Sequence, residues 1–404
     1  MKRLVLKFGG TSVGNIEKIQ NVANIIKKSH SNGNEIIVVV SAMSGVTNDL
    51  INKSNQINKN FDKKELDVLL SSGEQVTCSL LAGALLNLGI NARSWLGWQI
   101  PIFTNDNYTS SQIIKIKTDE IIKFISKKGV AVIPGFQGIS SESRITTLGR
   151  GGSDLSAVAI AKFFNTDYCE IYTDVEGVLT TDPSINKKAK KIEKISYEEM
   201  LEMSSLGAKV MQPNAVQASM INDIPIHVRS SFSKKSGTQI VSEDDADYKK
   251  AVTGIAYSKS NAKVSIVGVV DKPGVAADVF EPIGKNNINV DMVIQNTSLD
   301  GKTANITFTI KQQDLRKTLD IIEKNKKNLN YKKITHDDKL AKVSIVGAGM
   351  ISSPGVTYRM FRSLADKKIN ILAISTSEIK ISVLIREDLT QKAVKTLHTE
   401  FKLD

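Results

Sequence analysis

Residues 1–230 repeat one pattern: a short, almost wholly apolar run, a polar or glycine-rich turn, then apolar positions at helical spacing. Leu4–Lys7, Glu35–Val40, Val130–Ile133, Cys169–Tyr172 and Ile224–Val228 are predicted strands. Ile36-Ile37-Val38-Val39-Val40 shows no polar alternation, as expected of a parallel strand covered on both faces. Between the strands, Ile16, Ile19, Val22 or Ala23 and Ile26 recur at helical spacing behind Asn15, a good N-cap residue. Helices are predicted over 61–70 and 74–88, and another carries Ala157, Val158, Ile160, Ala161 and Phe164. Ser196 and Glu199 form a capping box for a helix over 197–204, and Leu206-Gly207-Ala208-Lys209-Val210 opens a further helical run. Strands that alternate with helices, each ending in a polar loop, predict an α/β fold with an open, mostly parallel sheet.

At 233–250 the chain turns polar and charged, the composition of a linker, and beyond it the sequence repeats itself. Lys263-Val264-Ser265-Ile266-Val267-Gly268 recurs letter for letter as Lys342-Val343-Ser344-Ile345-Val346-Gly347. Pro273-Gly274-Val275 recurs as Pro354-Gly355-Val356, and Ile288-Asn289 as Ile369-Asn370. Aligned landmarks behind an identical stretch mark a duplication. Each copy reads as a βαββαβ unit with a sheet edge open to pairing. Gly347-Ala348-Gly349 mimics the opening of a dinucleotide fingerprint, but Ser352 replaces the third glycine and the sister copy reads Gly268-Val269-Val270, so these glycines are assigned to packing.

Charge changes the picture little. The 404 residues carry 54 Lys and Arg against 42 Asp and Glu, a formal charge of +12. Lysines such as Lys27, Lys28, Lys127 and Lys128 spread over helical faces, and at 5% aromatics there are few platforms on which bases stack. The excess reads as a solvated surface that helps anionic metabolites approach. Cys78 and Cys169 stand far apart in apolar contexts, as core packers in a reducing compartment. The basic N-terminus is broken at Lys7 with no cleavage site behind it, and no apolar run reaches the ~20 residues of a membrane helix. A cytoplasmic protein is expected, without nucleic-acid or membrane partners.

The chemistry concentrates in the turns. Thr146-Thr147-Leu148-Gly149-Arg150-Gly151-Gly152-Ser153-Asp154 surrounds one arginine with glycines at the head of an apolar helix. Glycine lets backbone amides approach a ligand, a helix N-terminus favours anions, and an arginine fork fits a carboxylate or phosphate. Lys7-Phe8-Gly9-Gly10-Thr11-Ser12 is a strand running into a phosphate-binding turn, though not a P-loop, since its lysine precedes the glycines. Ser41 and Thr47 follow the second strand, where open α/β sheets bind ligands. Glu74, behind Ser72-Gly73, falls in the first turn of the helix predicted over 74–88, where it either complements the helix dipole or holds a substrate ammonium. Thr173-Asp174 opens a Gly- and Pro-punctuated loop reaching Asp182-Pro183, a further binding loop. The four histidines show no ligand or triad spacing, and no metal site is predicted in the protein itself.

Lys7 to Ser12, Ser41-Ala42-Met43, Ser72-Gly73-Glu74, Thr147 to Asp154, Tyr172-Thr173-Asp174-Val175 and Gly207-Ala208-Lys209, in this order, resemble aspartate kinases over essentially the whole chain. The doubled C-terminal unit is similar to that family's tandem ACT domains. The resemblance implies an αβα sandwich, the amino-acid kinase fold, over 1–245, a ferredoxin-like ACT domain over 263–338, and a second built from 254–262 with 339–404. It also implies phosphorylation of the L-aspartate side-chain carboxylate by ATP with Mg²⁺, the first step toward lysine, threonine and methionine. A carboxylate with pKa near ~3.9 is ionised at neutral pH, so no general base is needed; the difficulty is bringing an anion onto a polyanion.

By resemblance, Lys7 touches the transferred phosphoryl group, Asp154 orients Lys7 and Lys209, Arg150 clamps a substrate carboxylate and Glu74 its ammonium, with Ser41, Thr47 and Ser153 assisting. The implied nucleotide contacts are the turn Lys7, Phe8, Gly9 and Gly10, then Thr173 and Asp174. They continue through Leu179, Asp182 and Ser184 to Lys209; Leu179 and Ser184 stand where the family often has an aromatic residue and an arginine. Implied effector contacts are Asp271, Asp291, Gln295 and Asn296 in the first copy, with Asn370, Ser375, Thr376 and Glu378 in the second. The effectors would be lysine, threonine or both, acting on a homodimer or larger assembly paired through the ACT domains.

Overall fold

The computed structural model describes residues 2–207, 210–246, 250–298 and 301–404. The chain divides into two compact units, Met1–Leu179 with Lys191–Asp247, and Thr180–Lys190 with Tyr248–Asp404.

The first unit opens with β1 (Arg3–Phe8), α1 (Ile16–Ser31), β2 (Glu35–Val40), α2 (Val46–Ile57) and α3 (Lys63–Asn87). β3 (Ala92–Ser94), β4 (Ile102–Thr104), β5 (Ile113–Ile116), α4 (Asp119–Ser126), β6 (Val130–Pro134), β7 (Gln137–Ile139) and β8 (Ile145–Thr147) follow. α5 (Gly152–Phe163), β9 (Tyr168–Thr173), β10 (Lys194–Ser196), α6 (Tyr197–Ser205), α7 (Pro213–Asn222), β11 (Ile226–Ser230) and β12 (Thr238–Val241) complete it.

Its main sheet runs β10-β12-β11-β9-β1-β2-β6-β3 and is parallel except where β11 meets β12. Because β1 pairs β2 on one side and β9 on the other, its carboxyl end is a topological switch point. Leu4, Leu6 and Phe8 join Val38, Val40, Ile19, Val22, Leu81 and Leu85 in one core, so α1 and α3 cover that face. Strand alternation turns Lys7 to the opposite face, toward α5. A small sheet, β5-β4-β7-β8, leads the chain into the turn before α5.

Several local expectations fail for identifiable reasons. The two helices expected around Ser72-Gly73 are one, because Gly73 is a contact residue: a Cβ there would stand 2.8 Å from Ala42 Cβ. Glu74 therefore lies mid-helix and not in a first turn. α2 has no counterpart among the expected helices, since Ser54 is its sole buried residue and its sequence is mostly polar. Leu206 and Gly207 close α6 in a turn, and the next helix begins at Pro213, whose fixed φ suits a first helical position. Ala208 and Lys209 lie outside the described residues. The polar stretch expected as a linker contains β12, which pairs β10 and β11 within the sheet. α3 is, contrary to expectation, long and apolar enough to cross a membrane by length and composition. Its buried side carries Asp67 and Glu74 and packs on the sheet as a core helix.

The second unit contains β13 (Gly254–Val270), α8 (Val275–Lys285), β14 (Val293–Thr297), β15 (Thr303–Lys311), α9 (Leu315–Lys324) and α10 (Lys326–Leu329). β16 (Lys333–Val346), α11 (Val356–Asp366), β17 (Ala373–Thr376), β18 (Lys380–Arg386) and α12 (Thr390–Glu400) follow. The strands form one antiparallel sheet, β14-β15-β13-β16-β18-β17. The duplicated stretches occupy its two central strands, Lys263–Val267 beside β15 and Lys342–Val346 beside β18. Ser265 with Thr307 and Ser344 with Ser382 make equivalent hydroxyl pairs at 2.8 and 2.7 Å. Val264, Ile266, Val279, Ile283 and Phe308 belong to one core, and Ile255, Val343, Ile345, Met360 and Leu397 to another. Residues 180–190 are part of this unit: Ile185 packs against the second core, and Tyr257 Oη donates to Asp182 Oδ2 at 3.0 Å. Side chains at Gly347 and Gly349 would meet the carbonyls of Ala251 and Lys250 at 2.4 Å, the packing role assigned to them.

Candidate active site

The first unit's chemistry gathers at the carboxyl end of β1. Gly9 N donates to Tyr172 O at 3.0 Å, which sets the glycine turn beside Thr173 and Asp174 at the end of β9. Phe8 turns its ring into the core, stacked on Tyr172 at 4.7 Å, and leaves its backbone to the turn. A Cβ at Gly9 would stand 3.5 Å from Lys7 Nζ, so glycine keeps the space over the ammonium open. Lys7 is 8% exposed, and Nζ lies 2.5 Å from Asp154 Oδ1, an ionic contact without aligned hydrogen-bond geometry. Asp154 sits in the first turn of α5, where the helix dipole favours its charge.

Arg150 is presented by its neighbours. Gly149 and Gly151 take φ of 73° and 74°, left-handed values that other residues resist, and the turn between them projects Arg150 outward. Gly151 also admits Gln212, whose Cγ lies 2.4 Å from where a Gly151 Cβ would be. Asn214 Nδ2 donates to Arg150 O at 3.2 Å.

These groups open on a cleft of about 670 Å³ whose lining includes Lys7, Ser41, Thr47, Glu74, Arg150, Ser153 and Asp154. Glu74 is 3% exposed, and its Oε2 has no hydrogen-bond partner among the described residues. Burial pushes its carboxyl from 4.5 up to about 7, and the Ala42 backbone offsets this only in part. A buried acid with one oxygen left unpartnered at the wall of a cleft is a seat for a cation.

The other nucleotide assignments are dispersed. Thr173 Oγ1 donates to Asp174 Oδ1 at 3.1 Å, and neither residue lines the cleft. Leu179 pairs with Lys191 in an antiparallel bridge. Asp182 and Ser184 belong to the second unit, where Asp182 Oδ1 accepts from Ser184 N and Oγ at 2.8 and 2.6 Å. Lys209 lies outside the described residues. Among the described residues no cluster of three or more His, Cys, Asp or Glu side chains could cage a metal ion.

In the second unit, Asp271 and Gln295 line a cleft of about 510 Å³ at the head of α8. Asp291 pairs instead with Lys342 of the other repeat. Asn296 is exposed on β14; Ser375 and Thr376 stand on β17, with Asn370 and Glu378 exposed on either side of it.

Sequence reasoning passed over Gln212, which lines the cleft, and Asp67, which is wholly buried on α3. Gln212, a lining residue before α7, carried no motif signal. Asp67 carried no motif signal either, although its spacing of seven from Glu74 puts both on one face of α3.

A lysine at the switch point of a parallel sheet, an arginine held in a glycine turn and a buried acid share one cleft, a set that suits an amino acid kinase. Residues 2–230 match the amino acid kinase family, and 264–325 with 343–401 match the ACT domain. All of the chain aligns, at 46% identity, with 98% of an aspartate kinase of Stutzerimonas stutzeri. The aspartate kinase of Clostridium acetobutylicum superposes with a TM-score of 0.83 at 25% identity, over 98% of this chain and all (100%) of that one. E. coli aspartokinase III, solved with aspartate and ADP, shares the fold with a TM-score of 0.82 at 22% identity, over 99% of this chain and 100% of that one. The chain belongs to the aspartate kinase family and is a phosphotransferase.

Proposed function

We propose that the enzyme transfers the γ-phosphoryl group of ATP to the side-chain carboxylate of L-aspartate in the cleft shared by Lys7, Glu74, Arg150 and Asp154. Glu74 carries the assignment: a buried acid whose Oε2 has no hydrogen-bond partner among the described residues, lining the same cleft as an exposed arginine, matches the ammonium and α-carboxylate of an amino acid. With both ends held, the side-chain carboxylate is directed toward Lys7. It is already ionised at neutral pH, so the protein's task is positioning and charge neutralisation.

Lys7 donates to the phosphoryl oxygens as charge shifts during transfer, and Asp154 holds the ammonium in place. Gly10 offers its backbone amide, and Ser41, Thr47 and Ser153 offer hydroxyls, at the cleft wall. Mg²⁺, when bound, neutralises the nucleotide's phosphate oxygens. Thr173, Asp174, Leu179, Asp182, Ser184 and Lys209 are assigned to the nucleotide on the family resemblance, and the E. coli relative's complex with ADP and aspartate supports this pair of substrates.

The domain assignment is 1–245 for the kinase, 263–338 for the first ACT domain and 254–262 with 339–404 for the second, supported by the two separate cores of the second unit. Lysine, threonine or both are proposed to bind the ACT unit, with Asp271 and Gln295 as first contacts, in an assembly of at least two chains. The reaction is tested by trapping the acyl phosphate as its hydroxamate across a panel of amino acids. Aspartate should give the highest kcat/KM; preference for glutamate or another acid would reject the substrate assignment.

A further inference from the structure

Asp67 lies on α3 two turns before Glu74 and is wholly buried, at 0% exposure. Among the described residues the groups on its oxygens are neutral. Thr147 Oγ1 donates to Oδ1 at 2.5 Å and Thr147 N to Oδ2 at 3.0 Å, while Thr109 N divides itself between both at 3.1 and 3.0 Å. A buried carboxylate is strongly disfavoured unless hydrogen-bonded, so these donors and the acid hold one another in place.

What they hold is the entry to the Arg150 turn. Thr147 is the last residue of β8, three before Arg150. Ser111 N donates to Thr147 O at 2.9 Å, closing the Thr109 loop against the strand. Thr109 O in turn stands 3.2 Å from the place of a Gly149 Cβ, so this loop abuts the first glycine of the turn. Arginine recognises a carboxylate through two parallel bonds, which demands placement within about 0.5 Å.

We propose that Asp67 is a positioning residue for the acid substrate: through Thr147 and Thr109 it ties the Arg150 turn to the helix that carries Glu74, and so sets the distance between the two groups that hold the ends of the amino acid. It touches no substrate atom. The proposal rests on the reading of Arg150 and Glu74 as the substrate's carboxylate and ammonium partners.

Steady-state kinetics of the full-length enzyme test it with Asp67→Asn, Thr147→Val, Thr147→Ser, Arg150→Ala and the Asp67→Asn/Arg150→Ala double variant. Asp67→Asn and Thr147→Val should raise the KM for aspartate by about tenfold and leave that for MgATP within about twofold, while Thr147→Ser, which keeps the hydroxyl, stays near wild type. In the Arg150→Ala background Asp67→Asn should raise the KM for aspartate no further, because its effect passes through Arg150. An unchanged KM for aspartate, a parallel rise for both substrates, or effects that multiply in the double variant overturn the proposal. If Asp67→Asn does not fold, the Thr147 pair decides: equal behaviour of Thr147→Val and Thr147→Ser overturns it. If Arg150→Ala leaves the KM for aspartate unchanged, the clamp assignment fails first and separately.

Discussion

Lys7 Nζ and Asp154 Oδ1 stand 2.5 Å apart with both side chains nearly buried, one from the end of a central strand and the other from the first turn of α5. The strand gives the lysine its place at the switch point, and the helix gives the counter-charge that lets an ammonium sit there without water. Lys7→Ala should lower kcat by about 10²–10³ while the fold, followed by circular dichroism, survives. Asp154→Ala should lower it less, and the double variant should be no worse than Lys7→Ala alone, because both act through one ammonium. Near-normal turnover in Lys7→Ala would remove Lys7 from the mechanism.

Glu74 makes aspartate binding depend on pH. In the free enzyme its carboxyl is largely protonated below about 7, whereas a substrate ammonium requires the ionised form. The KM for aspartate should therefore rise as pH falls below about 7, by up to about tenfold per unit, and level off above it. Glu74→Gln should flatten that profile. The linked effect on stability has a definite sign: a carboxyl raised from 4.5 to about 7 favours the folded state least once it is ionised, so ligand-free stability declines as pH rises through that window. Bound aspartate relieves the decline, and its thermal stabilisation should be greater at about pH 8 than at about pH 6.

Gly151 is irreplaceable for two separable reasons, its φ of 74° and the Gln212 side chain that fills the place of a Cβ. Gly33, at φ of 82° with nothing within 4 Å, isolates the first. Gly33→Ala should cost about 1–2 kcal/mol in urea unfolding. Gly151→Ala should cost more and also raise the KM for aspartate; equal unfolding costs with unchanged kinetics would deny the Gln212 contact a role.

Gln295 is exposed on β14 beside Asp271 and takes no part in the kinase cleft. Gln295→Ala should shift inhibition by lysine, threonine or their mixture at least about fivefold with little change in kcat. A matrix of the two amino acids against activity checks it, and superimposable curves for variant and wild type would exclude this residue as an effector contact.

The strand runs were legible because burial on both faces demands continuous Val and Ile, as in Ile36–Val40, and the capping box at Ser196 and Glu199 was legible because it satisfies helix-end donors locally. Glycine misled where its reason was tertiary. Ser72-Gly73 resembles a helix end, yet Gly73 only makes room for Ala42, and this displaced Glu74 from a helix start to a helix middle. β12 was hidden because Thr238–Val241 is short and framed by lysines, glycine and acids. The cleft residues Lys7, Glu74 and Arg150 stood out by motif, while Asp67 did not, since nothing in Lys-Glu-Leu-Asp-Val distinguishes a buried carboxylate from a solvated one.

β13 and β16 pair along their lengths, and Ser260 and Lys339, at equivalent points of the two repeats, take left-handed φ of 57° and 55°. Each long strand crosses there from one core to the other. In the order of assembly the copies are consequently unequal. The inner core draws on a contiguous stretch, Ala262 to Tyr331, whereas the outer one must join Ile255 to residues as distant as Leu403. The inner copy is the connection that brings Ser258 to Lys342, and loop-closure entropy predicts that the outer copy closes after it. Pulse-labelling hydrogen exchange should find Val264 and Phe308 protected before Val343 and Leu397; the reverse order would contradict this sequence. A nascent chain should thus complete the inner half of its regulatory sheet early and wait for residues as late as Leu403 to seal the outer half.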